Sequence, residues 1–161
     1  VATLRLLKRL DIGECVVAFP HAEDFSSQVF HRVVPRYEAV AAVIQAILTA
    51  DPAIFPSEIS YETIPYCVVR DVRFWRSSLD LVFLRERLRG SETLIEMSMT
   101  GDTIDWSAAR GQIKTKPTAC PACLLDPLCE GPWLEYVTHF GDGEFQPVTD
   151  HALVNQFIEA I

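Results

Sequence analysis

At 161 residues the chain has the size of one domain with room for a small appendage, and 49% hydrophobic residues suffice for a buried core. A formal net charge of −8 excludes a nucleic-acid groove, which needs clustered Lys and Arg to displace phosphate counterions. The longest apolar stretch, Val40 to Leu48, is broken by Gln45 and is shorter than a bilayer-spanning helix, so no membrane partner is expected.

The chain opens on Val1, with no basic segment leading into an apolar one. This predicts a cytoplasmic piece of a longer protein without a signal peptide. Leucines at 4, 6, 7 and 10 interleaved with basic residues predict a short amphipathic helix over Thr3–Leu10, ended by Asp11-Ile12-Gly13. Cys15 to Phe19 reads as a buried strand in which Cys15 is a small hydrophobe and belongs to no site. Pro20 and the polar stretch His21 to Gln28 read as a loop. His21 follows a strand that is expected to be parallel, where active-site loops lie, although a surface histidine is the simpler reading. Tyr37 to Thr49 places Val40, Val43, Ile44, Ile47 and Leu48 on one helical face. Helices covering short strands predict an α/β fold, a barrel end or an open parallel sheet; with so few units the piece cannot close a barrel alone.

From Ser57 onward the pattern changes. Ile59, Tyr61 and Thr63 alternate with polar residues, and Leu79 to Leu84 and Thr93 to Met99 read as strands around Gly90-Ser91, with a further turn at Gly101-Asp102. Arg70 to Arg76 and Arg85 to Arg89 alternate basic and apolar residues as half-exposed strands do. A small antiparallel sheet is therefore expected. A helix over Trp133–Phe140, a turn at Gly141 to Gly143, and a terminal helix from Asp150 follow. The last helix carries Leu153, Val154, Phe157, Ile158 and Ile161 on its apolar face.

Five cysteines without a secretory signal point to metal or redox chemistry rather than to a disulfide framework. Cys120, Cys123 and Cys129 are crowded with prolines after Lys114-Thr-Lys116-Pro117, and a pair separated by two residues can turn both sulfurs toward one centre. The fourth ligand is Cys67, Cys15 or an external group. Cys67, just after Pro65 at a bend in the chain, is the expected choice. Spacing alone leaves zinc and iron open.

The run from Lys116-Pro117 through Cys120, Cys123, Cys129, Gly131, Trp133, Tyr136, Gly141, Glu144, Phe145 and Pro147 resembles the C-terminal extension of radical S-adenosylmethionine enzymes of the SPASM and twitch type. Val34-Pro35-Arg36-Tyr37 and Ile64-Pro65-Tyr66-Cys67 are similar, more weakly, to the closing part of such a barrel and its first auxiliary ligand. The resemblance implies a partial (β/α) barrel end over residues 1–63. Residues 64–161 would form a twitch-like domain of a β-hairpin and a helix. It implies an auxiliary 4Fe-4S cluster on Cys67, Cys120, Cys123 and Cys129, serving electron transfer or substrate positioning. The full enzyme would bind S-adenosylmethionine, pair this piece with the rest of the barrel, and modify a peptide or small molecule. The catalytic CxxxCxxC loop is absent from this sequence, and so is a fourth cysteine shortly after Cys129, which together favour an inactive isolated chain with one cluster. A structural zinc module that meets a protein partner and a small iron-sulfur electron carrier are the rival readings. Of the remaining residues, Arg36 could meet a carboxylate or help hold a cofactor, although a solvated arginine is the simpler reading; Glu144 could brace the cysteine loop or be an exposed turn residue; and Trp133 and Tyr136 are expected to shield the site from water. His31, His139 and His151 show no metal-ligand spacing.

Overall fold

The computed structural model describes residues 2–12, 15–20, 27–51, 59–79, 81, 95–97 and 103–159. His21, the Gly90-Ser91 and Gly101-Asp102 turns, Arg85 to Arg89 and Ile161 lie outside these residues.

Helix α1 (Ala2–Arg9) carries Lys8 and Arg9 in its last turn, where cations meet the negative end of the helix dipole. Strand β1 (Cys15–Ala18) pairs in parallel with β2 (Ile59–Glu62), Cys15 opposite Ile59 and Val17 opposite Tyr61. Helices α2 (Ser27–Val33) and α3 (Tyr37–Ala50) run between them as the crossover that parallel strands require. The alternation at 59–63 had suggested an antiparallel partner instead, but alternation reports a half-buried strand and not its direction. β1 is only half buried: Cys15 and Val17 face inward while Val16 is 45% exposed.

The loop expected over residues 21–28 gives way to α2 at Ser27. The segment Ser27–Ala50 contains an 18-residue stretch of mean hydropathy 1.3 and is long and apolar enough to cross a membrane by length and composition. It is interrupted at Val34–Arg36, and α3 buries Tyr37, Ile44, Ile47 and Leu48 in the protein core while Val43 is exposed.

Arg70 to Arg76 is not a strand. Asp71 accepts the Arg73 N–H at 2.9 Å and caps helix α4 (Val72–Arg76), and its carboxyl is held below its usual range chiefly by the hydrogen bond from the Arg73 side chain. Phe74 and Trp75, which a strand would send to opposite faces, are both fully buried on this single turn. Ser78 makes an isolated bridge to Tyr61, and Leu79 and Leu81 are helical where a strand was expected. Strand β3 (Ile95–Met97) pairs antiparallel with β4 (Thr103–Asp105), which runs directly into α5 (Trp106–Ile113), a helix that the sequence pattern does not announce. Trp133 is the N-cap of α6 (Leu134–Phe140) rather than its first residue. Asp150 caps α7 (His151–Ile158) by accepting the Leu153 N–H at 3.1 Å; Val154 and Phe157 are buried and Ile158 is exposed.

One hydrophobic core takes residues from both sides of residues 63 and 64. Phe19 stacks on Tyr37 at 4.0 Å between centroids, Tyr37 meets Tyr136 at 4.4 Å, and Tyr61 stacks on Phe74 at 3.7 Å. Phe157 sits edge-on to Trp75 at 5.3 Å and brings α7 onto α4. Thr63 has φ +62, a left-handed conformation that costs a β-branched residue on the order of 1–3 kcal/mol. Its hydroxyl donates to the Phe19 carbonyl at 3.3 Å, and its carbonyl accepts from Tyr37 Oη at 3.1 Å, so two buried bonds hold the bend that leads into Pro65.

Replacing Phe157 with Ala removes a fully buried ring and is expected to lower stability by about 3–5 kcal/mol. Urea unfolding should show a lower midpoint at unchanged slope; a midpoint equal to wild type would contradict the α4–α7 packing.

Candidate metal centre

Cys120 to Ala122 form one 3₁₀ turn, with Cys120 N–H bonded to Pro117 O at 2.9 Å and Cys123 N–H to Cys120 O at 2.8 Å. Pro121 suits such a position because the start of a turn leaves its N–H without an internal acceptor. A second turn follows, in which Asp126 N–H reaches Cys123 O at 3.1 Å and Cys129 N–H reaches Leu125 O at 3.0 Å; fully buried Leu125 anchors it.

Cys67 comes from elsewhere in the chain. Its turn is closed by Val68 N–H on Pro65 O at 3.0 Å, and Trp75 Nε1 donates to the carbonyls of Tyr66 at 2.9 Å and Val69 at 2.6 Å. The buried indole thus fixes the loop from behind. Arg70 then donates to the carbonyls of Gln146 at 3.0 Å and Pro147 at 3.1 Å, drawing this loop against the segment before α7.

These constraints bring Cys67, Cys120, Cys123 and Cys129 to the wall of one cavity, with Pro65, Pro117, Leu125, Phe145 and Pro147 among its other residues. Its empty volume is about 370 Å³, part of it open to solvent. Cys15 does not line it; it stands in β1 opposite Ile59. All five cysteines are free thiols. Among the described residues no three His, Cys, Asp or Glu side chains form a group for a single metal ion. A tetrahedral ion with bonds of about 2.3 Å would draw four sulfurs to within about 4 Å of one another. The four cysteines line a shared space.

Two sulfurs already accept backbone bonds. Gly131 N–H donates to Cys129 Sγ at 3.3 Å, and Val148 N–H to Cys123 Sγ at 3.4 Å, while Leu124 N–H returns to Val148 O at 2.9 Å. Hydrogen bonds to sulfur tune the potential of a metal that the sulfur ligates. Gly131 has φ +84, and a Cβ there would lie 2.0 Å from the Thr115 carbonyl oxygen. Only glycine lets this peptide reach the sulfur.

Burial pushes the Cys67 thiol up to about 12, and the neighbouring Cys129, Cys123 and Cys120 push it the same way. Burial and then Cys129 raise Cys120 to about 11, against the opposing pull of Lys116. Without a bound cation the cavity therefore keeps protons on these sulfurs, and a metal entering it must displace them.

Other expectations are redrawn by the geometry. Arg36 is not simply solvated: it donates to Glu144 at 2.8 Å, lies 4.6 Å from the centre of the Phe140 ring, and is held more firmly charged chiefly by that bond. Glu144 also accepts from Tyr136 Oη at 2.5 Å, and Tyr136 Oη accepts the Tyr37 N–H at 2.9 Å. Burial first, and the Glu144 bond second, hold the Tyr136 phenol well above its ordinary range. Glu144 thus ties α6 to the start of α3. It is Asp142, not singled out by sequence reasoning, that braces the cysteine loop, through Thr118 Oγ1 at 2.8 Å and Thr118 N at 3.3 Å. Trp133 and Tyr136 are buried but do not line the cavity; Pro132 and Phe145 do. The His31 and His139 rings meet at 5.6 Å between centroids, and His139 Nε2 lies 3.5 Å from Glu135, while His151 opens α7.

Sequence reasoning also missed Arg110. Only 4% exposed, it donates to Glu130 through Nε at 2.8 Å and Nη2, and to Glu62 through Nη1 at 3.1 Å, linking the end of β2 to the residue after Cys129. Two carboxylates offset the cost of burying this charge.

Gly131→Ala is expected to lower stability by at least about 1–3 kcal/mol, read by thermal unfolding. Stability at the wild-type level would contradict the close approach to Thr115. A pH dependence follows as well. Cys67 and Cys120 hold protons in the fold above the ordinary thiol value of about 8.5, so the folded state binds more protons than the unfolded one from about pH 8.5 upward. Stability of the metal-free protein should be full below that value and fall as pH rises toward about 11 to 12. Denaturant midpoints that stay level over this range would refute the raised thiols.

Compared with family models, with curated proteins and with solved structures, the chain matches none.

Proposed function

We propose that this chain is the auxiliary-cluster part of a radical S-adenosylmethionine enzyme, with Cys67, Cys120, Cys123 and Cys129 holding a 4Fe-4S cluster. The observation that carries the reading is the convergence of four thiols, from two loops distant in sequence, on one largely apolar cavity. The donor set fits the group: four soft ligands, two of them accepting backbone N–H bonds, with Pro and Phe side chains limiting water. The resemblance of the Cys120–Pro147 segment to twitch-type extensions supports iron over zinc.

A cluster bound here supplies one-electron capacity. The chain's own residues do the rest. Gly131 and Val148 direct N–H groups at two sulfurs, Trp75 and Arg70 hold the Cys67 loop in place, and Leu125 and Phe145 keep the wall apolar. On this reading β1, α2, α3 and β2 are the end of a (β/α) barrel completed by other residues of the enzyme, and residues 64–161 are the twitch-like domain. The substrate, a peptide or small molecule, is held mainly outside this chain. No CxxxCxxC segment occurs in the sequence, so cleavage of S-adenosylmethionine is assigned to residues beyond it.

Anaerobic reconstitution with iron and sulfide is expected to give a brown protein whose visible absorbance bleaches on reduction. Cys67→Ala and Cys120→Ala should lower iron and sulfide content, and Cys15→Ala should leave it unchanged. A colourless product that binds zinc tightly and refuses iron would overturn the reading. Iron content unaffected by Cys67→Ala would replace the four-ligand site with a three-ligand one.

A further inference from the structure

The chain is acidic, with 14 Lys and Arg against 22 Asp and Glu, yet two lysines are gathered at the turn that carries Cys129. Lys116 Nζ donates to the Asp126 carbonyl at 2.7 Å, to the Asp126 carboxylate at 2.8 Å and to the Cys129 carbonyl. An ammonium has three donors, and all three go to residues 126 and 129. Lys114 Nζ lies 3.4 Å from the Gly131 carbonyl and 3.9 Å from the centre of the Trp133 ring. The stem of Lys116 passes close to Gly131, its Cδ 3.7 Å from where a Cβ would stand. This is the residue whose N–H points at Cys129 Sγ.

An ordinary surface ion pair asks only for a carboxylate and contributes little. Here two of the three bonds go to main-chain carbonyls of a turn that ends in a cysteine, and one of those carbonyls belongs to Cys129 itself. Four thiolates around a divalent ion, or around a cluster core of charge +2, leave a net charge of about −2 in an apolar wall. A nearby cation favours both the assembly of such a centre and its acceptance of an electron.

We propose that Lys116 is the charge-compensating and positioning residue of the thiolate site. It clamps the turn of Cys129 and supplies positive charge behind it. This rests on the cavity being a metal centre, as proposed above. Because the Lys116 side chain is 42% exposed and that of Asp126 37%, the effect is partly screened and weakens as salt rises. Asp126 works against it, placing a negative charge 2.8 Å from the ammonium.

The test compares Lys116→Gln, Lys116→Arg and Asp126→Asn in the reconstituted full chain. Loss of the charge in Lys116→Gln should lower the midpoint potential, by less at high salt; Lys116→Arg should restore it, and Asp126→Asn should raise it. A merely structural clamp would change iron content without these opposed shifts. Lys116→Gln protein with wild-type potential would overturn the proposal. Where Lys116→Gln takes up no cluster, Asp126→Asn decides, and an unmoved or lowered potential overturns it. If wild type refuses iron and takes cobalt(II) or zinc, the cluster reading falls. The lysine is then judged by the cobalt(II) dissociation constant, expected severalfold weaker in Lys116→Gln and near wild type in Lys116→Arg; equal constants overturn it. A wild-type chain that binds none of these metals overturns both.

Discussion

A cavity walled by loops has no ladder of strand or helix bonds to hold it, and everything at this site depends on meeting that shortage. The thiols stand on turns whose carbonyls are caught by side chains reaching in from regular structure or from neighbouring loops. Trp75 on α4 holds two carbonyls beneath Cys67, and Lys116 holds two around Cys129. Arg70 fastens one loop to the other through Gln146 and Pro147. Each bond contributes on the order of 1 kcal/mol, or somewhat more where the donor is charged, so the loops become rigid only when several act together. The core below serves the same end: α7 packs Phe157 against Trp75, and the indole is thereby held where its N–H meets the carbonyls.

Electrostatics impose a matching demand. The molecule is strongly acidic overall, but Arg110, Lys114 and Lys116 gather on α5 and the strand-like segment after it, next to Cys129, Glu130 and Gly131. Buried thiols in a neutral wall resist ionisation, and the raised values of Cys67 and Cys120 express that resistance. Lys116 acts against it at Cys120. Arg110, nearly fully buried, is accompanied by two carboxylates, because an unmatched cation at that depth would cost more than the fold can offset.

The grouping of Cys120, Cys123 and Cys129, the placing of Cys67 rather than Cys15 beside them on one cavity wall, and the helices α3, α6 and α7 were legible because apolar periodicity and clustered thiols are written in side chains. α4 was not, because five residues of alternating basic and apolar type imitate a strand; the decisive mark was Asp71, a helix-capping residue just before them. The direction of β2 was hidden for a similar reason, since a parallel and an antiparallel partner ask the same alternation of it. The carbonyl contacts of Trp75, Arg70 and Lys116 were the least legible of all. Every residue carries a carbonyl, so nothing in the sequence distinguishes the ones that are caught. Gly131 was visible as a glycine after the third cysteine, but only the backbone reveals that Thr115 occupies the space a side chain would need.

The reach of Arg70 also sets an order of events. Its two acceptors lie 76 and 77 residues further along the chain. Closing so long a loop belongs to the slow, non-local part of folding, after turns such as Cys120–Ala122 have formed. For much of its folding the chain therefore offers a paired Cys120 and Cys123 with no cavity around them. If the cavity is the metal centre proposed above, an ion met at that stage would find only the two thiols of one turn, and ligation by all four would wait for the Cys67 loop to dock.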